Sequence, residues 1–246
     1  MPRLDIAGDA RRAFDVIKRG GVAIWPNDVG YGMVGGTTAA LKTIFDTKRR
    51  GSHKRNAMLG DAITQREVHV LDRRSQDMIE SLTLDYNLPL GIIAPCNPNH
   101  PLLRKIDPEL LEASTANGTL GMLLNAGPIY AELTRMSREE AQPIFGSSAN
   151  LSGTGPKFRV EDIQPELLAA ADIVLDYGLR KYHYYQRSAT IIRFPAVEVV
   201  RIGTCYELIA DALRREFGVD LPADPGRDAL PSGHLKEFEL LQADAR

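Results

Sequence analysis

Near the middle of the chain, Ser147-Ser148-Ala149-Asn150-Leu151-Ser152-Gly153 gathers hydroxyls, an amide and a glycine just after the apolar pair Ile144-Phe145. Such a string offers donors and acceptors to an anion or a polar ligand, and its glycine lets backbone come close. Far upstream, Lys48-Arg49-Arg50 closes a helical run and supplies the positive charge an anion would need. Together the two features frame a substrate-binding site. A helix cap or turn also accounts for the hydroxyl string, and cations suit a helix C-terminus for electrostatic reasons alone.

A second group of candidates follows the apolar run Val22-Ala23-Ile24-Trp25, read as a buried strand stopped by Pro26. Asn27-Asp28-Val29-Gly30-Tyr31-Gly32 is then a glycine-spaced polar loop. In open α/β sheets ligands collect at such strand ends. Asp28 could receive an ammonium or help hold a metal; as a loop-side cap it would do neither. Tyr31 could stack on a base, or pack in the core. Arg201, after an apolar strand, could reach phosphate oxygens or point into water. Thr190 could support the same pocket or serve β-propensity. His53 could touch phosphate or sit solvated in its basic loop. Lys181-Tyr182-His183-Tyr184-Tyr185-Gln186-Arg187 is a basic aromatic patch that could close over a nucleotide, stack RNA bases or pack half-buried.

The chain of 246 residues is 43% hydrophobic, enough for one substantial core or a core plus an appendage. A formal net charge of -2 gives no global signal for nucleic acid. Cys96 and Cys205 stand in no metal or redox spacing, so a reduced, cytoplasmic setting is expected. His69, His100, His183 and His234 form no metal-ligand pattern, and no metal ligands are assigned. Residues 1–19 carry acidic residues and no long apolar core, unlike a secretory signal. No apolar run approaches the roughly 18 residues a membrane span requires, so no membrane partner is expected.

Periodicity supplies the elements that must position these residues. Helices are expected over 8–19, 37–49, 75–84, 128–136, 160–170 and 204–217. Strands are expected over 22–25, 58–59, 90–94, 118–124, 173–175, 189–194 and 197–202, the last pair forming a hairpin around Pro195. Residues 143–146 read as a short apolar step, and 64–71 give no clear signal. The alternation indicates an α/β domain with a twisted, mostly mixed open sheet and flanking helices. Residues 1–217 would form that domain. Residues 218–246 would be a tail packed on it or disordered.

Four stretches in order resemble the Sua5/YrdC/YciO family: Gly20 to Gly32; Ile44-Phe45-Asp46-Thr47-Lys48-Arg49-Arg50; Ser148-Ala149-Asn150-Leu151-Ser152-Gly153; and Ala189-Thr190-Ile191-Ile192 with Arg201-Ile202-Gly203. They are similar to the family's Gly-Gly strand with Pro-Thr-Asp/Glu-Thr-Val-Tyr-Gly, its Lys-X-Arg helix end, its Ser-Ala-Asn-X-Ser-Gly, and its Ser-Thr-Ile-Val with Leu-Arg-X-Gly. The resemblance implies a YrdC-like fold. It also implies a nucleotidyltransferase of the L-threonylcarbamoyladenylate synthase type, acting in tRNA processing. Such an enzyme uses ATP with Mg²⁺, bicarbonate and L-threonine or an altered amino acid, with RNA as a further partner. On this reading Lys48 and Arg50 neutralise phosphate charge. Asn27, Asp28, Tyr31, Ser148, Asn150, Ser152, Thr190 and Arg201 bind substrates.

The departures fall on substrate motifs. Asn27-Asp28-Val29 replaces a Thr-Asp/Glu-Thr triplet, and Gly30 replaces a valine. Lys54-Arg55-Asn56 stands for Lys-Pro-Leu, and Ala189 for a serine. Leu88 to Gly91 lacks a Pro-Gly-Pro-X-Thr, and Thr119 to Leu123 lacks a terminal arginine. These losses point to altered substrate choice or lost activity, and Asn27, an amide where the family has a hydroxyl, predicts a changed amino-acid or acyl-acceptor preference. They also keep open a noncatalytic RNA- or nucleotide-binding member, and a transferase that moves a carbamoyl group from an adenylate to another small molecule.

Overall fold

The computed structural model describes residues 4–49 and 55–236; Arg50 and His53 lie outside them. The chain opens with α1 (Ile6–Lys18), whose N-cap Asp5 accepts from Gly8 N at 2.9 Å. Its buried residues Ala10, Ala13, Phe14 and Ile17 recur at helical spacing, which gives α1 one apolar stripe.

β1 (Ala23–Asn27) and β2 (Gly30–Gly35) follow as an antiparallel hairpin. The sequence expectation is corrected twice here. The strand does not stop at Pro26 but runs through it. β8 (Ile173–Val174) pairs only with Ala23 and Ile24, so Pro26 lies where β1 has become an edge and a missing donor is tolerated. The polar loop expected over 27–32 contracts to the two-residue turn Asp28-Val29, with Gly30 at φ +118°. α2 (Thr38–Thr47) is capped by Thr37, which accepts from Ala40 N, and buries Ala40, Leu41 and Ile44.

The middle of the chain gives β3 (Ala57–Leu59), α3 (Ala62–Val68) and α4 (Arg73–Glu80), the last continuing as a π-helical turn, Ser81–Asp85. Then come β4 (Leu90–Pro95), α5 (Pro101–Arg104), α6 (Pro108–Ser114), β5 (Thr115–Ala116), β6 (Thr119–Leu124) and α7 (Pro128–Glu139). The apolar step at 143–146 becomes a strand, β7 (Phe145–Ser148), that draws Ser147 and Ser148 out of the expected loop. The helix expected over 160–170 breaks into a 3-10 turn, Val160–Asp162, and a short α8 (Pro165–Ala169). Gln164 is extended because the following Pro165 disfavours a helical neighbour. β9 (Ile191–Arg193) and β10 (Glu198–Arg201) form the expected hairpin, and α9 (Tyr206–Phe217) ends at Gly218.

The strands form one mixed sheet in the order β10-β9-β4-β6-β3-β7-β2-β1-β8, with β5 added beside β6. One face carries Ile24, Met33, Met58, Ile92, Met122 and Ile192 and is packed by α2 and its neighbours. The other carries Ala23, Trp25 and Val34 beneath α1 and α7. Beyond those two helices, Ile93, Gly121, Leu123 and Ile191 on that second face are only half-buried, so the central strands present an open floor. The described residues after α9 pack on the domain: Leu230 is buried with Val199, Ile202 and Tyr206. Among the described residues no helix is long and apolar enough to cross a membrane.

Candidate active site

Lys48, from the cationic helix end, meets the hydroxyl-amide loop. Lys48 is the C-cap of α2 and only 2% exposed. A buried ammonium must find acceptors. Its Nζ donates to the main-chain carbonyls of Ser148 and Asn150, the latter at 2.5 Å. In return, Ser152 N donates to Lys48 O at 3.1 Å. The loop is also pinned to β2, since Ala149 N donates to Tyr31 O at 2.8 Å. Asn150 donates through Nδ2 to Leu151 O, while its buried Oδ1 has no partner. Lys48 therefore fixes the backbone that aims Ser148 and Asn150.

Strand register brings Asn27 to the same place. Trp25 faces Gly32, Asn27 faces Gly30, and Gly32 faces Ser148 across β7. A Cβ on Gly32 would stand 2.8 Å from Asn27 Nδ2 and 3.0 Å from Trp25 Nε1. Both side chains thus lean over a residue that must be glycine, next to Ser148. Asn27 is 6% exposed, and its Oδ1 and the Trp25 N–H are both unpartnered. A half-turn of the amide would offer that oxygen to the indole.

Tyr31 does not join this group. Adjacent strand residues point to opposite faces, so the neighbour of Gly32 enters the core on the α2 side. Its hydroxyl donates to Gly178 O at 2.9 Å and accepts from Tyr177 N at 3.0 Å. Burial pushes its pKa up to about 12. It is a fully buried pillar, and its ring presents no face to a ligand here. Asp28, in the turn, has Arg180 at 3.5 Å and Lys181 at 3.8 Å, and burial raises its carboxyl above the ordinary value.

Thr190 and Arg201 stand at the far end of the open floor, with β4, β6 and β3 between them and Ser148. Thr190 is fully buried; its hydroxyl donates to Thr204 O at 3.0 Å and accepts from Gly203 N at 3.1 Å. The Arg201 guanidinium donates twice to Ala189 O, at 2.9 and 2.8 Å. Tyr31 and Asp28 aside, the expected residues that are described therefore form two groups flanking a floor of small and apolar side chains, rather than one cluster.

Two residues escape sequence reasoning. Arg180 precedes the basic aromatic patch by one residue, and its Nε donates to Asn27 O at 3.0 Å. Asn56 is buried with both amide atoms unpartnered, where a polar residue at a strand entrance gave no periodic signal. The patch itself is a strap. Tyr182 N donates to Asp28 O at 3.0 Å, Tyr182 packs against both large clusters, and Tyr185 donates to Glu207 at the start of α9. Tyr184 is 86% exposed.

Comparison with known proteins completes the picture. Residues 15–203 match the Sua5/YciO/YrdC family model, whose description reads "Telomere recombination". The fold is similar to a hypothetical protein from Streptococcus mutans UA159 (TM-score 0.69, 19% identity, covering 85% of this chain and 92% of that one). It is similar to P. abyssi Sua5 complexed with L-threonine (0.64, 18%, 82% and 56%), so this chain spans little more than half that protein. It is also similar to E. coli YciO (0.62, 18%, 83% and 91%). Likeness at such identity speaks for the fold.

Proposed function

The chain belongs to the Sua5/YciO/YrdC family, and we propose that it makes a carbamoyl-adenylate from ATP, bicarbonate and an amino acid. Membership supports carbamoyl-adenylate chemistry in general. The observation that carries the specific reading is the buried Lys48 ammonium clasping the Ser148–Asn150 loop at the rim of the open sheet face.

In this reaction the amine of the amino acid adds to bicarbonate carbon, and water leaves. An oxygen of the resulting carbamate attacks the α-phosphorus of ATP, the bond to the β-phosphate breaks, and pyrophosphate departs. Two anions must be held together, so the protein's task is positioning and charge neutralisation, with no covalent intermediate on a side chain. Lys48 contributes charge and, as a positioning residue, a fixed loop. Arg50 is assigned the two-pronged grip on phosphate or carboxylate oxygens. Ser148, Asn150 and Ser152 supply neutral donors, Arg201 and Thr190 the far phosphate end, and Asn27 and Asp28 the amino-acid end. Among the described residues no trio of His, Cys, Asp or Glu could hold a metal ion. Mg²⁺ would arrive on the triphosphate, where it shields phosphate charge.

Mass spectrometry of products from ATP, Mg²⁺, labelled bicarbonate and mixed amino acids tests this. The expected result is a labelled N-carbamoyl amino acid joined through its carbamate oxygen to AMP, with pyrophosphate released only when bicarbonate and an amino acid are both present. Carbamoyl transfer from a supplied adenylate without pyrophosphate would instead identify a carbamoyltransferase. RNA binding with no adenylate formed would identify a noncatalytic member.

A further inference from the structure

At the sheet edge where β1 turns into β2, a cavity of about 220 Å³ opens between the hairpin and the N-terminal ends of α1 and α7. Its polar end is Asp28 and Arg180; Pro26, Pro128, Ile129 and Tyr177 form most of the rest. The pair is loosely made. Arg180 commits Nε to Asn27 O at 3.0 Å and one terminal nitrogen to Tyr177 O at 3.3 Å, but its other terminal nitrogen meets Asp28 only at 3.5 Å. Lys181 approaches the second carboxylate oxygen no closer than 3.8 Å. Charge-assisted bonds close to about 2.7–2.9 Å. Acid and base thus stand side by side, both nearly buried, each with bonding capacity toward the cavity.

We propose that this cavity binds an α-amino acid with an apolar side chain, its carboxylate on Arg180, its ammonium on Asp28 and its side chain against Pro26 and Ile129. This deepens the reading above and rests on it for the amino acid's fate. The one hydroxyl among the walls, that of Tyr177, is spent on the Asp9 carboxylate at 2.8 Å. A substrate hydroxyl placed there would lose its water and gain no partner. Valine and threonine have nearly the same shape, so they isolate that effect. An apolar pocket separates such a pair by roughly a hundredfold at most.

The test is calorimetric titration of the full chain with L-valine, L-threonine, N-acetyl-L-valine and L-valinamide. Each is run in buffer and again with a non-hydrolysable ATP analogue. Valine is expected to bind at least tenfold more tightly than threonine. Both blocked forms should lose at least tenfold, because each lacks one of the two charges. Arg180→Met should remove valine binding while its thermal unfolding remains cooperative. If valine gives no heat under either condition, binds no better than threonine, tolerates either block or binds Arg180→Met unchanged, the proposal falls. Valine binding without any pyrophosphate release would sink the proposed reaction and leave this site standing. Pyrophosphate release with threonine and no valine binding would do the reverse.

Discussion

His69 shows how one buried side chain can set a pH limit on the whole fold. It is 6% exposed; Nε2 bonds Leu120 O at 3.1 Å, and Nδ1 is buried without a partner. Burial lowers its pKa from 6.5 to about 4. The folded state therefore keeps the imidazole neutral where the unfolded chain would bind a proton. Stability is full above pH 6.5, falls as acid is added, and levels below pH 4. The loss should approach about 3 kcal/mol. Urea unfolding at pH 7.5, 5.5 and 4.5 should show this slope, and His69→Gln should flatten it; equal slopes would refute the assignment. Nothing in the sequence singled out His69, since its neighbours come from β-pairing with Cys96 and from β6. Residue type and order alone brought Lys48 and Ser148 forward as candidates, and the structure puts the two in contact. Of the two readings open for Tyr31, a base-stacking ring or core packing, the strand alternation that a loop expectation hid gives the second.

At the scale of elements, the hairpin end of β9 and β10 depends on Gly203. A Cβ there would stand 2.2 Å from Ser188 O, 2.5 Å from Ala189 C and 2.6 Å from Thr190 N, all main-chain atoms that cannot swing aside. Gly203→Ala should cost on the order of 3 kcal/mol or more and should displace Thr190 and Arg201 together. Gly218 is the internal control. It has φ +65° but open space around its Cβ position, so Gly218→Ala should cost only about 1 kcal/mol of backbone strain. Thermal denaturation of the two variants measures the difference; equal losses would mean that packing at Gly203 is not the cause. The glycine was visible in sequence, but its role was not, because the crowding comes from residues 188–190, which the hairpin pairing sets beside it. The same holds for Pro26. Its strand-breaking character is real, yet β8 ends before reaching it, a tertiary fact that no local signal carries.

For the whole molecule, one buried guanidinium is central to how the described residues after α9 are tied down. Arg187 is 5% exposed and bonds the Asp224 carboxylate at 2.7 Å and Leu230 O at 2.6 Å. Tyr206 donates to Pro222 O at 2.5 Å, Ile202 N donates to Gly233 O at 2.8 Å, and Leu230 fills a small apolar cluster. Composition placed a tail here and left its packing open, because a Pro- and Gly-rich stretch signals irregular backbone whether or not it docks. Asp224→Asn removes the charge opposite a buried cation. Breaking a fully buried pair costs roughly 3–5 kcal/mol. The Asp224 side chain is 35% exposed, so water compensates in part and about 2 kcal/mol is the better expectation. The loss should appear first as local opening, since few other contacts hold residues 222–229. Limited proteolysis of Asp224→Asn should therefore nick this segment at low protease while the cleavage pattern of the domain before it is unchanged. A cleavage pattern identical to that of the unaltered chain would show that the apolar cluster alone suffices, and that the buried arginine is satisfied by Leu230 O and solvent.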